Sequence, residues 1–90
     1  MKRLHIYVSG IVQGVFFRQS TFTKAKEFGI YGWVKNLRDG RVEIVCEGDE
    51  ESLKKMATWC KKGPDGAFVS GIDVQWEDFK NEFKKFQINY

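Results

Sequence analysis

Leu4, Ile6 and Val8 alternate with His5, Tyr7 and Ser9. A period of two predicts a strand buried on one face. The alternation stops at Gly10, and the period then changes. From about Phe17 to Phe28, the residues Thr21, Phe22, Ala25 and Phe28 fall near one face, with Lys24 and Lys26 outside it. That spacing predicts a helix, and Gly29 sits where a left-handed cap belongs. Ile30 to Leu37 predicts a second strand. Arg41 to Glu47 predicts a third, with Val42, Ile44 and Cys46 on one side and Glu43 and Glu47 on the other. Arg38-Asp39-Gly40 between them is a hairpin turn, for which Asp-Gly is a strong local signal.

Asp49 is a good N-cap for a second helix, and Glu50 and Glu51 suit its positive end. Leu53, Met56, Ala57 and Cys60 form its core stripe. Lys61 and Lys62 suit its C-terminus, Gly63 can cap it, and Pro64 prevents continuation. Gly63 to Ser70 reads as a loop. Ile72, Val74 and Trp76 alternate as a fourth strand. Asp78 to Lys85 is polar and charged and reads as a turn with an exposed flank. Phe86, Ile88 and Tyr90 alternate as a short last strand.

This order, β-α-β-β-α-β plus a terminal strand, predicts an α+β, ferredoxin-like split βαβ sandwich. Two helices cover one face of an antiparallel sheet. There is no internal repeat, low-complexity stretch or linker, so one domain is expected over residues 1–90. A domain of this size buries roughly 60% of the surface its unfolded chain exposes. Eight Phe, three Tyr and three Trp supply bulk for one modest core.

A net charge of +3 suits a small anionic ligand. It falls short of the clustered basic footprint of a nucleic-acid binder. Cys46 and Cys60 match no zinc or redox spacing and fall on predicted core faces. They read as small buried hydrophobes of a reducing compartment. No apolar run is long enough for a membrane span, and Met1-Lys2-Arg3 leads into a strand pattern rather than a leader. A cytoplasmic monomer is the expectation.

The chemistry gathers in Gly10 to Arg18, GIVQGVFFR, between the first strand and the first helix. Backbone N–H groups at a helix N-terminus form an anion site, as does a concave glycine-containing turn. Arg18 adds a planar, permanently charged fork suited to phosphate. On the glycine spacing alone, an ordinary turn with a solvated arginine is favoured, because glycine marks many plain turns.

Two stretches together resemble the acylphosphatases. One is Val8-x-Gly10-x-Val12-Gln13-Gly14-Val15-x-Phe17-Arg18; the other is Gly32-Trp33-Val34-Lys35-Asn36-x-x-x-Gly40-x-Val42, closing at Gly48. The order of elements agrees as well, so the resemblance covers essentially the whole chain. One departure is Asn89-Tyr90, where the family commonly has arginine then tyrosine. The resemblance implies hydrolysis of an acyl phosphate to a carboxylate and inorganic phosphate, without metal, cofactor or covalent intermediate. It implies that the backbone amides of Gln13, Gly14, Val15, Phe16, Phe17 and Arg18, with the Arg18 guanidinium, hold the phosphoryl group. Asn36 matches the residue that orients the attacking water. Inorganic phosphate or sulfate is then the expected product or inhibitor.

Other designs fit less well. Neither cysteine is followed by Arg at the spacing of a cysteine phosphatase, and His5, the single histidine, sits in a strand. No Asp, His and Cys cluster suggests a metal. The fold class also carries RNA-binding modules, and Tyr7, Tyr31 and Trp33 could stack bases. Against that alternative, the third strand carries Glu43 and Glu47 and lacks an aromatic-rich RNA signature. A catalytically silent regulatory domain is disfavoured by the presence of both Arg18 and Asn36.

Overall fold

A computed structural model describes residues Met1–Tyr90. The elements are β1 (Lys2–Ile11), α1 (Phe17–Phe28), β2 (Tyr31–Asn36), β3 (Val42–Gly48), α2 (Glu50–Lys62), β4 (Phe68–Glu77) and β5 (Phe86–Ile88). They build one five-stranded sheet in the order β4-β1-β3-β2-β5. The helices pack on one face of it, as the split βαβ pattern requires. β1, β2, β3 and β4 pair antiparallel, whereas β5 joins the free edge of β2 in parallel.

The two periodicities sort the core. Leu4, Ile6 and Val8 from β1, Val42, Ile44 and Cys46 from β3, and Leu53, Met56 and Cys60 from α2 are all fully buried. Each large apolar side chain withdrawn in this way contributes about 1.5–3 kcal/mol. Phe17 seats the start of α1: it is buried, and its ring lies 5.3 Å from that of Trp59 on α2. Cys46 and Cys60 are free, and burial pushes both thiols up, Cys46 to about 12.

Several elements differ from their sequence expectations. β1 runs on to Ile11, so Gly10 lies in the sheet and not in the loop. The β1–β4 register shifts between Ser9 and Gly10. Gly10 takes φ 128°, and a Cβ there would lie 2.1 Å from the Phe68 carbonyl oxygen. Its glycine therefore serves close approach of β4. The same pairing draws Phe68 to Ser70 out of the expected loop into β4. Asp49 occupies the N-cap of α2, but its side chain makes no capping bond. Trp76, on the predicted core face, is 46% exposed.

The Asp78 to Lys85 segment is pinned rather than loose. The Glu47 carboxylate accepts the Lys80 N–H at 2.7 Å and the Glu82 N–H at 3.0 Å. Arg3 bridges Glu82 at 2.9 Å, Glu77 at 3.0 Å and Glu47 at 3.4 Å. This network, buried at Arg3 and Glu47 and open at Glu77 and Glu82, fixes the crossing that carries the chain from the β4 edge to the β5 edge. No helix is long and apolar enough to cross a membrane.

Candidate active site

α1 begins in an unusual way. Its N-cap is Phe16, a residue with no side-chain oxygen, held at φ 62°, and its first turn carries no acid. A left-handed conformation costs a non-glycine residue roughly 1–2 kcal/mol. Such strain gathers at ligand sites. Gly14 also has positive φ, at 75°, while Val15 between them does not. Alternation of hand along successive residues turns neighbouring N–H groups toward one side and makes an anion-binding nest. α2 is the contrast: Glu50 and Glu51 occupy its first turn and complement its own dipole.

The backbone N–H groups from Gly14 to Gln19 donate to no protein acceptor. A Ser or Asp at position 16 would cap the helix and consume one of them; Phe leaves them free. Of residues 14–19, Gly14 and Phe16 to Gln19 line a pocket of about 280 Å³. Gly14, Phe16, Phe17 and Arg18 line it from the loop and helix start, Asn36 from the end of β2, and Ile88 and Tyr90 from the C-terminal segment. Arg18 has no carboxylate partner. Its guanidinium donates to the Asn89 carbonyl at 3.4 Å and lies 4.8 Å from the centre of the Tyr90 ring.

Asn36 lines the same pocket from the opposite side, at the end of β2. Its Oδ1 is the one buried side-chain oxygen or nitrogen with no hydrogen-bond partner. An unsatisfied buried acceptor costs about 1–3 kcal/mol, so a native one calls for a donor. A water molecule in the pocket is such a donor, and an acceptor at a fixed place orients its lone pairs.

The residues expected from sequence divide into two groups. Gly14, Phe16, Phe17, Arg18 and Asn36 line one pocket. Val15 packs against the core, and Gln13 turns its side chain away to the β2–β3 turn. For these two, only the backbone N–H can face a ligand. Ile88 and Tyr90 join the pocket lining and Asn89 meets Arg18 through its carbonyl; the sequence marked Asn89-Tyr90 only as a departure from the family's usual arginine-tyrosine ending. Their approach depends on β5 pairing with β2, which leaves no local signal.

The outer face of the sheet bears on the RNA-binding alternative. Beside Tyr7 lie Glu43 and Asp73, its partners on β3 and β4, and Glu77 stands beyond Gln75. Their carboxylates repel a phosphate backbone. Tyr7 itself is already covered by the Arg41 guanidinium, 4.7 Å from its ring centre. Nothing supports the alternative. His5 is held at 2.7 Å from Glu43 on this same face, far from the pocket in the register.

Comparison with known proteins agrees with the geometry. The family model described as Acylphosphatase matches residues 4–88. The chain is 50% identical over 88 residues to an acylphosphatase of Methylococcus capsulatus, covering 98% of this chain and 96% of that one. It is 51% identical over 87 residues to an acylphosphatase of Pyrobaculum calidifontis, covering 96% and 79%. The crystal structure of acylphosphatase from Bacillus subtilis superimposes with a TM-score of 0.96 at 38% identity, over 100% of both chains.

Proposed function

The chain belongs to the acylphosphatase family, and from that premise we propose how residues 1–90, acting as one domain, hydrolyse an acyl phosphate. The unpaired N–H groups from Gly14 to Gln19 and the Arg18 guanidinium hold the non-bridging phosphoryl oxygens. Asn36 Oδ1 accepts a hydrogen from water and aims its lone pair at phosphorus. The new P–O bond forms as the bond to the acyl oxygen breaks. The carboxylate leaves with the electron pair, and the water's proton passes to a phosphate oxygen.

This assignment asks little of side-chain acid or base. The leaving carboxylate is already a good one, so the work is charge stabilisation and positioning. One preorganised donor to a developing oxyanion is worth about 3–4 kcal/mol. Several amides and a guanidinium therefore supply a large acceleration. Inorganic phosphate and sulfate, which match the cradle, act as competitive inhibitors. The buried free thiols suit a cytoplasmic setting, and we take the working unit to be a monomer.

The observation that carries the reading is the partnerless Asn36 Oδ1 in a pocket bordered by unpaired amides. Hydrolysis of benzoyl phosphate in 18O-labelled water, with a chelator present, tests it. Label should enter phosphate, at a rate the chelator leaves unchanged. Label in benzoate would place the attack on the acyl carbon and sink the mechanism.

A further inference from the structure

We infer that Gln13 is a positioning residue, whose side-chain amide sets the distance between the phosphate cradle and Asn36. The inference rests on the cradle and water assignments above. Gln13 Nε2 donates to the Leu37 carbonyl at 2.7 Å and to the Arg41 carbonyl at 3.0 Å. An amide nitrogen carries two hydrogens, and both are used. The two acceptors are the carbonyls at the neck of the β2–β3 turn. Arg41 O also accepts the Leu37 N–H at 2.8 Å, and Leu37 O the Gly40 N–H at 3.2 Å. Gln13 thus occupies the remaining acceptor capacity of both.

The place of these carbonyls matters. Leu37 follows Asn36, and Arg41 precedes Val42, the cross-strand partner of Asn36. The β1–β3 ladder ends at Val8–Val42. Beyond it β1 continues only with β4, through Ser9, Gly10 and Ile11. No other hydrogen bond ties residues 12–16 to the hairpin. Core packing of Val12 and Phe17 fixes where the loop starts and ends, but the only direct hydrogen bonds between residues 12–16 and the strand end that presents Asn36 come from the Gln13 side chain. A misplacement of about 1 Å costs roughly 100-fold in rate.

The test uses the full chain with Gln13→Leu, which keeps the bulk and loses both donors, and Gln13→Glu, which sets a carboxylate against two carbonyls. Turnover of benzoyl phosphate and inhibition by inorganic phosphate are both read. Expected is a fall in kcat of roughly 10–100-fold, with the phosphate inhibition constant changed by less than about threefold. In an Asn36→Ala background, Gln13→Leu should cost less than about threefold further, because no aligned water remains to be misplaced. Losses that multiply in the double variant would overturn the inference, as would wild-type kcat in Gln13→Leu or equal losses in kcat and phosphate affinity. Should Gln13→Leu not fold, Gln13→Asn, too short to reach both carbonyls, is read in the same way. The two readings separate cleanly. Full activity in Arg18→Ala or Asn36→Ala removes the site assignment, whereas inactive variants there beside active Gln13 variants remove only the role of Gln13.

Discussion

The Arg18 guanidinium lies 4.8 Å from the centre of the Tyr90 ring, and no carboxylate reaches it. An aromatic face steadies a cation without neutralising it. The charge stays available to an anion, and the fork is held in one plane. Arg18→Ala is therefore expected to lower kcat/KM by at least about 100-fold, the cost of one oxyanion donor. Arg18→Lys should recover little of this, because a point charge cannot match two phosphate oxygens. Near-wild-type turnover in the Lys variant would exclude a bidentate role.

On the proposed assignment, Asn36→Ala removes the acceptor for the attacking water and leaves the amides of residues 14–19 in place. A large loss of kcat with nearly unchanged phosphate inhibition is the expected pattern. Asn36→Asp is close in size but brings a negative charge into the pocket proposed to hold the phosphoryl group. It should be as poor as Ala or worse. An Asp variant with wild-type activity, or a new acidic limb in its pH profile, would show that a base can serve there.

Phosphate should stabilise the fold, since only the folded chain presents the unpaired amides together. At 100 times its dissociation constant the gain is ~2.7 kcal/mol. For a domain of this size that raises Tm by roughly 10–20 °C. Thermal unfolding with and without phosphate measures it. The Arg18→Ala variant should show most of the shift gone.

Glu47 is expected to contribute to the acid limit of the fold. Burial pushes its carboxyl up, but the Lys80 and Glu82 N–H groups and Arg3 outweigh this and hold it below the usual range. A folded-state value below the unfolded one means that the ionised form stabilises at neutral pH. This stability is complete above the unfolded value of about 4.3 and is lost as pH falls through the lower, folded one. Glu47→Gln should cost about 2–3 kcal/mol at pH 7 and flatten the acid limb of a urea-unfolding series. An unchanged acid limb would mean that Glu47 is not the group responsible.

The two glycines of the first motif should respond differently to alanine. At Gly10 the new Cβ meets the Phe68 carbonyl at 2.1 Å, so β4 must move or the strand must break. A loss of more than about 3 kcal/mol is expected. At Gly14 the Cβ meets nothing within 4 Å, and only its φ of 75° resists. The cost there is about 1 kcal/mol, with the main effect on phosphate affinity. Equal Tm shifts for the two variants would contradict this division.

Much of the architecture was legible in the residues. The face formed by Thr21, Ala25 and Phe28, ended by Gly29, specifies α1, and Asp39-Gly40 specifies the hairpin. Both are local events, written in periodicity and turn chemistry. The paired motifs around Arg18 and Asn36 were enough to name the family and its reaction. What sequence could not decide depends on partners distant along the chain. Gly10 belongs to the sheet because the Phe68 backbone approaches it. Asp78 to Lys85 is held because Glu47 and Arg3 reach it across strands. β5 lies parallel to β2, and so brings Asn89 and Tyr90 against Arg18. Gln13 looks like part of a phosphate loop, yet its amide reaches the hairpin. Alternation and composition report which face a residue turns to the core. They carry no record of which carbonyl or carboxylate waits on the neighbouring strand, because that meeting exists only once the register is formed.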